Sequence, residues 1–157
     1  MERYSILGFS DGGRVALVMG SLYPKEIQKI VAWSCSSFIS DAEKNSPRES
    51  FDINNWGPSH LAEMQAVYGD ELQSTWDHFS ALYRAYTDIF KSELEKIECP
   101  VFILHGEYDN MLSVEHAQFL KANIKNSELY IQNKGMHNFH IKSHAMFNML
   151  VQQFLLE

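Results

Sequence analysis

Gly8-Phe9-Ser10-Asp11-Gly12 is the stretch of sequence that decides the fold. It lies between a short apolar run, Tyr4 to Leu7, and a segment with helical character, Gly13 to Leu22. In a G-x-S-x-G pattern the chain turns so sharply from strand to helix that side chains two residues before and after the serine would collide with each other or with the backbone. The pattern therefore predicts that Ser10 stands at this turn with its hydroxyl lifted clear of the sheet edge, as a nucleophile.

An acidic residue and a histidine follow Ser10 in the chain, each just after a predicted strand. Asp109 follows Val101 to Gly106, an apolar run that ends in glycine and is typical of a strand buried on both faces. His137 follows the short run Leu129 to Ile131 and a turn. A nucleophile, an acid and a base in this order form a known catalytic arrangement, so we predict Ser10, Asp109 and His137 as the catalytic residues.

Each of these three residues also has a purely structural explanation, which stays open. Ser10 could be an ordinary turn residue, Asp109 could cap the helix that follows it, and His137 could be a surface loop residue. Chain order and strand placement together favour the catalytic interpretation. His105 and Glu107 are expected to shape the turn that carries Asp109.

Composition favours one globular domain with a substantial core. The chain has 157 residues, of which 45% are hydrophobic, which is enough for one domain and too short for two of typical size. The formal net charge is −7 and there is no run of basic residues. This balance argues against nucleic acid or an anionic membrane as the main partner.

The compartment expected from the sequence is intracellular. No apolar stretch approaches the roughly 20 residues that span a bilayer, and no charged and apolar leader precedes the first strand. Cys35 and Cys99 are far apart and form no C-x-x-C motif, so a reducing compartment, with both as small buried apolar side chains, is the simpler interpretation.

The order of predicted elements indicates an α/β fold with a parallel sheet. A strand at Ile27 to Trp33 follows the first strand and helix, and strand, helix and strand at this length form a parallel pair. Helical spacing then runs from Phe38 to Glu98, which we predict to be a helical insertion. Strands and helices resume and close with a helix at His144 to Leu155. The expected organisation is core residues 1–37, insertion 38–98 and core residues 99–157.

Three segments of the chain carry a resemblance to a known family. They are Leu7-Gly8-Phe9-Ser10-Asp11-Gly12-Gly13, then Cys99-Pro100 leading to His105-Gly106-Glu107-Tyr108-Asp109, and Gly135-Met136-His137-Asn138. In these segments the chain resembles an α/β-hydrolase, most closely the valacyclovir hydrolase (biphenyl hydrolase-like) group. The resemblance implies a mostly parallel eight-stranded sheet whose helical cap corresponds to residues 38–98. It also implies hydrolysis of a small-molecule carboxylic ester through an acyl-enzyme. We expect no cofactor.

The same resemblance implies that part of the family's fold is absent from this sequence. The strand at Tyr4 to Leu7 corresponds to the family's fifth strand, so the chain resembles the carboxyl-terminal half of the fold. One oxyanion-hole donor, the backbone N–H of Asp11, is present, whereas the family draws the second from a loop after its third strand. The strand at Tyr4 to Leu7 would then leave a sheet edge open, and we expect self-association through that edge.

Asp11 is the residue that bears most directly on the substrate. A carboxylate beside the nucleophile can pair with a cation near the scissile carbonyl, such as the α-amino group of an amino-acid ester, and the resemblance implies that role. The other interpretation, which stays open, is that Asp11 stabilises the N-terminal end of the following helix, where negative charge is favoured in any case.

Besides an active ester hydrolase, two other interpretations differ in kind: a metal-binding protein and an inactive or partner-dependent fragment. His137, His140 and His144 lie close in sequence, but no cysteine or carboxylate joins them at the usual zinc spacing, so no metal site is expected. The chain could instead be a catalytically inactive fragment, or a subunit that needs a partner chain to supply missing strands.

Overall fold

One parallel sheet joins the first and last parts of the chain. The computed structural model describes residues 3–45 and 52–157. The sheet has four strands, in the order β1 (Tyr4–Phe9), β2 (Ile27–Trp33), β3 (Val101–Gly106) and β4 (Ser127–Gln132). Phe9 pairs with Trp33, and Trp33 pairs with Leu104, so the carboxyl ends of these strands lie along the same edge of the sheet. This edge is where α/β sheets place their ligand sites.

Helices fill most of the remaining chain. In chain order they are α1 (Asp11–Leu22), α2 (Asp41–Lys44), α3 (Pro58–Tyr68), α4 (Leu72–Ala85), α5 (Val114–Asn123), α6 (Phe139–Lys142) and α7 (His144–Leu156), with 3₁₀ turns at Ile53–Asn55, Gly69–Glu71 and Lys91–Lys96. Within residues 3–45 and 52–157, no helix combines the length and the apolar character needed to cross a membrane.

The core lies on both faces of the sheet because neighbouring strand residues point to opposite sides. One face buries Ile30 and Ile103 in a cluster with Leu17 of α1 and Leu120 of α5. The other face buries a second cluster, in which strand and α7 side chains meet, namely Val31, Phe102, Leu104, Phe147, Val151 and Phe154. Each large apolar side chain buried in this way contributes about 1.5–3 kcal/mol. The prediction that the strand at 101–106 is buried on both faces is confirmed.

The outer edge of β1 is open among the described residues, since β1 pairs with β2 along one side and with no described strand along the other. Tyr4 and Leu7 of this strand are 47% and 48% exposed. Edge strands that expose apolar side chains and unpaired backbone groups are templates for further strand pairing. Among the described residues, the predicted open edge at β1 is therefore found.

Residues Phe38–Ile89 form a unit of their own, apart from the unit made by Met1–Ser37 with Phe90–Glu157. An antiparallel bridge between Phe38 and Asp88 joins the two ends of this smaller unit. Inside it, Trp56 lies edge-on to Trp76 with ring centroids 5.1 Å apart, and Trp76 stacks on Phe79 at 5.0 Å. Aromatic pairs of this geometry stabilise a small helical unit beyond the area that they bury.

The end of the helical insertion lies earlier in the chain than the sequence predicts. The sequence pattern predicts an end at Glu98, whereas residues 90–98 belong to the unit that holds the sheet. The side chains of Phe90, Leu94 and Ile97 are buried in the same core cluster as Leu17 of α1. Their apolar spacing continues that of the insertion, but it serves the core of the sheet.

Candidate active site

Ser10 occupies the tight turn between β1 and α1. Its backbone has φ 53° and ψ −117°, a left-handed conformation that a non-glycine residue adopts at a cost of about 1–3 kcal/mol. The Ser10 N–H donates to the carbonyl of Trp33 at 2.9 Å, and the Ser10 carbonyl accepts the N–H of Gly13 at 3.0 Å. These bonds hold the strained turn in place, as the G-x-S-x-G pattern requires of a strand-to-helix elbow.

Two glycines, Gly8 and Gly13, make the turn sterically possible, whereas the sequence pattern predicts Gly8 and Gly12. A Cβ at position 8 would lie 2.2 Å from the carbonyl oxygen of Gly12, so glycine is required there. A Cβ at Gly12 would meet no atom within 4 Å, so the predicted collision at that position is wrong. The second crowded position is Gly13, where a Cβ would lie 2.8 Å from the Cβ of Cys35. The steric demand therefore falls on Gly8 and Gly13, because the chain passes closest to its neighbours at these two residues.

Asp109 follows β3, and its side chain is fully buried. One carboxylate oxygen accepts the backbone N–H groups of Met111 at 2.9 Å and Leu112 at 3.0 Å. The other accepts the Nδ1–H of His137 at 2.8 Å. Burial alone would raise the pKa of Asp109, but the hydrogen bonds from His137, Leu112 and Met111 outweigh it and hold the pKa below its ordinary value. The carboxylate is therefore charged at neutral pH.

His137 follows β4 and lies between the other two predicted residues. Its Nδ1 is 2.8 Å from Asp109 Oδ2, and its Nε2 is 3.2 Å from Ser10 Oγ. Because a charged carboxylate only accepts, Nδ1 carries a proton, which leaves Nε2 placed to accept a hydrogen bond from the serine hydroxyl. The structure thus brings Ser10, Asp109 and His137 together in one hydrogen-bonded relay at the carboxyl edge of the sheet.

The loops that carry Asp109 and His137 are bonded to each other. The Tyr108 N–H donates to the carbonyl of Gly135 at 2.7 Å, and the Lys134 N–H donates to the carboxylate of Glu107 at 2.9 Å. A Cβ at Gly106 would lie 2.5 Å from that same Gly135 carbonyl, so the approach needs glycine. The two loops form one assembly that fixes the side chains of Asp109 and His137 relative to each other.

His105 shapes the turn before Asp109, as predicted. Its Nε2–H donates to the carbonyl of Leu112 at 2.9 Å, which closes the loop between them. The same nitrogen lies 3.6 Å from Asp109 Oδ2. Burial lowers the pKa of His105, so the ring is neutral and leaves His137 as the main partner of the carboxylate. The carboxylate of Glu107 links this turn to the loop of His137 by accepting the backbone N–H of Lys134.

An aromatic group supports the imidazole of His137 from one side. The ring of Phe9 lies 5.1 Å from His137 and 4.6 Å from His140, and His140 lies 5.5 Å from Trp33. Burial, and the nearby His137, lower the pKa of His140. Sequence reasoning did not assign these aromatic residues to the site, although Phe9 lies inside the decisive motif.

Asp11 lies at the start of α1, beside Ser10, and is engaged by Arg14. The Nη1 of Arg14 donates to Asp11 Oδ1 at 2.7 Å, and its Nη2 donates to the hydroxyl of Ser36 at 2.8 Å. The Asp11 side chain remains 73% exposed. Its backbone N–H is among the first of the helix, and such groups have no partner within the helix. The carboxylate of Asp11 therefore already has a cationic partner in Arg14.

In the described part of the chain, no group of three or more His, Cys, Asp or Glu side chains is placed to hold a metal ion. His137 is engaged by Ser10 and Asp109. The Nδ1 of His144 lies 3.2 Å from the carbonyl of Ile141. The three nearby histidines therefore serve separate contacts.

Known proteins similar to this chain share its fold. A family model described as BAAT / Acyl-CoA thioester hydrolase C terminal matches residues 2–138. Serine hydrolase BPHL is 29% identical over 166 residues in Homo sapiens and 31% over 160 in Mus musculus, with 98% of this chain and 55% of either relative covered. MGS-MChE2, an α/β hydrolase enzyme from the metagenome of lagoon sediments at Mar Chica, Morocco, is 21% identical with a TM-score of 0.69, over 98% of this chain and 61% of that structure. The chain spans about half the length of the curated relatives it matches.

Proposed function

The chain belongs to the BAAT / acyl-CoA thioester hydrolase C-terminal family, and from this premise we propose that it carries the active site of a serine hydrolase that cleaves carboxylic esters through an acyl-enzyme. The observation that carries the proposal is the relay from Ser10 Oγ through the two nitrogens of His137 to Asp109, with distances of 3.2 Å and 2.8 Å. A neutral imidazole between a serine hydroxyl and a buried carboxylate is the arrangement that activates serine for attack on a carbonyl carbon.

In the first half of the reaction, Ser10 Oγ bonds to the ester carbonyl carbon while His137 Nε2 takes the hydroxyl proton. The charged Asp109 stabilises the imidazolium that forms and keeps the proton of Nδ1 directed toward itself. The imidazolium then gives the Nε2 proton to the leaving alkoxide, which departs as the alcohol. The acyl group stays on Ser10 as an ester.

In the second half, a water molecule attacks the acyl carbon and gives its proton to His137, which passes it to Ser10 Oγ as the acid leaves. Both tetrahedral intermediates carry negative charge on the former carbonyl oxygen. The backbone N–H of Asp11 and the N-terminal end of α1 are the donors that this chain offers to it. A site with one missing oxyanion donor is slower by about 10²–10³.

The substrate we propose is a small carboxylic ester, with α-amino-acid esters as a specific class. Asp11 supports that class because a carboxylate next to Ser10 can bind an ammonium group beside the scissile bond. Arg14 competes for the same carboxylate, but an exposed ion pair is worth only about 0.2–1 kcal/mol, so a substrate ammonium can share it.

The cell interior stays our expected location, because Cys35 and Cys99 are both free and buried.

A test of the nucleophile uses a fluorophosphonate probe on the purified chain, followed by mass spectrometry of the labelled peptide. We expect the label on Ser10, and we expect it to disappear in Ser10→Ala and to slow strongly in His137→Gln. A label on another serine, or equal labelling of His137→Gln, would contradict the proposal.

The substrate test compares a p-nitrophenyl ester, an amino-acid ester, its N-acetyl form and an acyl-CoA thioester. For Asp11→Ala we expect turnover of the amino-acid ester to fall up to about fivefold further than turnover of the N-acetyl ester. An equal loss on both removes the amino-ester class and leaves the ester hydrolase. Turnover of the thioester alone would move the proposal from oxygen esters to thioesters.

A second candidate is a hydrolase chain that depends on a partner polypeptide for its missing strands. The open edge of β1, with Tyr4 and Leu7 about half exposed, favours it. The partner would supply a parallel strand on that edge and a second oxyanion donor. We expect the segment of the human relative that this chain does not match to raise Ser10 labelling by about 10²–10³ when both are expressed together. No rise on addition of that segment counts against this candidate.

A further inference from the structure

The corner where β2 ends holds both the nucleophile turn and the base loop. Trp33 is the last residue of β2, and its carbonyl accepts the Ser10 N–H at 2.9 Å. Ser34 is the next residue, and its hydroxyl donates to the carbonyl of His137 at 2.9 Å. One residue therefore anchors the turn that carries the serine, and its neighbour anchors the loop that carries the imidazole.

Ser34 is itself held firmly in place. Its backbone N–H donates to the carbonyl of Leu104 at 3.0 Å, which ties it to β3. Its side chain is fully buried, and its φ of 49° lies in the left-handed region that glycine adopts far more readily than serine. Glycine would relieve the backbone strain at position 34, but it would lack the hydroxyl. The hydroxyl is therefore what serine provides at this position and glycine cannot.

The end of β2 controls the distance between His137 Nε2 and Ser10 Oγ, on which proton transfer depends. His137 Nε2 lies 3.2 Å from Ser10 Oγ, at the long end of a hydrogen bond. Ser34 fixes the backbone of His137, while Trp33 fixes the backbone of Ser10. A shift of about 1 Å between reacting groups can lower a rate by about 100-fold. A loosened His137 loop is therefore expected to affect the relay well before it affects the fold.

We propose that Ser34 is a positioning residue, whose hydroxyl holds the His137 loop so that the imidazole stays within reach of both Ser10 and Asp109. The role of the relay rests on the proposed function. The position of the imidazole can, however, be measured without any turnover, through the proton that His137 shares with Asp109.

Ser37 offers a matched control in the same segment after β2. Its side chain is fully buried, and within residues 3–45 and 52–157 its hydroxyl has no hydrogen-bond partner. Ser37→Ala therefore removes a buried hydroxyl without removing a bond to the His137 loop. Ser34→Ala and Ser34→Gly both remove that bond, but alanine keeps the backbone strain and glycine relieves it.

The experiment compares these three variants with the unchanged chain by two readouts and a melting temperature. The first readout is the proton NMR signal of the His137 Nδ1–H, assigned by its loss in His137→Gln. Its exchange rate with water reports how firmly the imidazole is held on Asp109. The second readout is the rate at which the fluorophosphonate labels Ser10.

In both Ser34 variants we expect the Nδ1–H to exchange about tenfold faster and Ser10 to label about 10- to 100-fold more slowly, while Ser37→Ala matches the unchanged chain. Losses of similar size in Ser34→Ala and Ser34→Gly at different melting temperatures support the role of the hydroxyl. Unchanged exchange in both variants, or exchange that follows the melting temperature across all three, overturns the proposal.

The same data separate this inference from the proposed function. If the unchanged chain does not label at Ser10 but exchange still accelerates in the Ser34 variants, the hydrolase proposal fails and the positioning role stands. If the unchanged chain labels and the Ser34 variants match it in labelling and exchange, only the positioning role fails.

Discussion

Substitution of Gly8 by alanine tests the steric basis of the nucleophile turn. The new Cβ would lie 2.2 Å from the carbonyl oxygen of Gly12 and 2.7 Å from the nitrogen of Gly13, far inside the 3.4 Å at which ordinary contact begins. Both neighbours are backbone atoms, which cannot rotate away as a side chain can. Relief therefore requires β1 and α1 to move apart.

The expected cost is large for a single methyl group. Overpacking of a core usually costs about 1–3 kcal/mol, and a clash that separates two elements lies above that range. We expect Gly8→Ala to lower the free energy of unfolding by about 3–5 kcal/mol. For a chain of this size, each kcal/mol corresponds to about 2–4 °C in Tm, so the Tm should fall by at least about 6 °C.

Gly12→Ala is the matched control, because a Cβ there meets no atom within 4 Å and position 12 is helical. Alanine restricts the unfolded chain and favours the helix, so we expect a gain of about 0.4–1 kcal/mol. Urea unfolding followed by tryptophan fluorescence gives both values. A Gly8→Ala variant within about 1 kcal/mol of the unchanged chain, or a Gly12→Ala variant equally destabilised, would refute the steric argument.

Three further outcomes follow from the site and the sheet edge. In Asp109→Asn the amide oxygen stays with the backbone N–H groups of Met111 and Leu112, which leaves the amide NH₂ facing Nδ1 of His137. The imidazole then carries its proton on Nε2, the wrong tautomer for accepting the Ser10 proton, and fluorophosphonate labelling of Ser10 should slow by about 10⁴-fold; labelling within tenfold of the unchanged chain would contradict this. The free energy of unfolding should fall in two stages as the pH is lowered. Because the pKa of His105 is lowered in the folded chain, the unfolded state takes up a proton first as the pH drops below 6.5, which destabilises the fold. Because the pKa of Asp109 is also lowered, the stabilisation that its charged form provides is lost as the pH drops below 3.8. Urea midpoints measured from pH 8 to 3 check this, and a midpoint that rises as pH falls below 6.5 would be inconsistent with it. The chain should self-associate through β1, and Leu7→Lys should shift it toward the monomer in size-exclusion chromatography; an unchanged chain that already elutes as a monomer argues against an active edge.

The sheet could be predicted from the sequence where its strands are mostly apolar. The strands predicted at Ile27 to Trp33 and Val101 to Gly106 are found at those residues. The last strand was predicted as Leu129 to Ile131 and extends over Ser127–Gln132. It lies at an edge of the sheet, where polar residues are tolerated, so its ends carry no apolar signal. The resemblance to α/β-hydrolases, predicted from the motifs, is confirmed by the family match and the serine hydrolase relatives.

The sequence predicts the three side chains that meet in the candidate site, but it does not predict the residues that support them. Ser10, Asp109 and His137 each follow a strand in a recognisable motif, whereas Ser34 lies 103 residues from His137 in a serine-rich run without a pattern. Only the folded sheet brings that hydroxyl to that carbonyl. The pairing of Asp11 with Arg14 is different, because an i, i+3 spacing on a helix is readable in the sequence.

The hydrogen bonds between the loop of Asp109 and the loop of His137 have a consequence for how this site can change. The loop of Asp109 is bonded to the loop of His137 through Tyr108 with Gly135 and through Glu107 with Lys134. The serine elbow belongs to a different part of the sheet. A cysteine placed at position 10 would meet an imidazole already oriented by its carboxylate, so a different nucleophile could be tested at this position without changing the contact between His137 and Asp109.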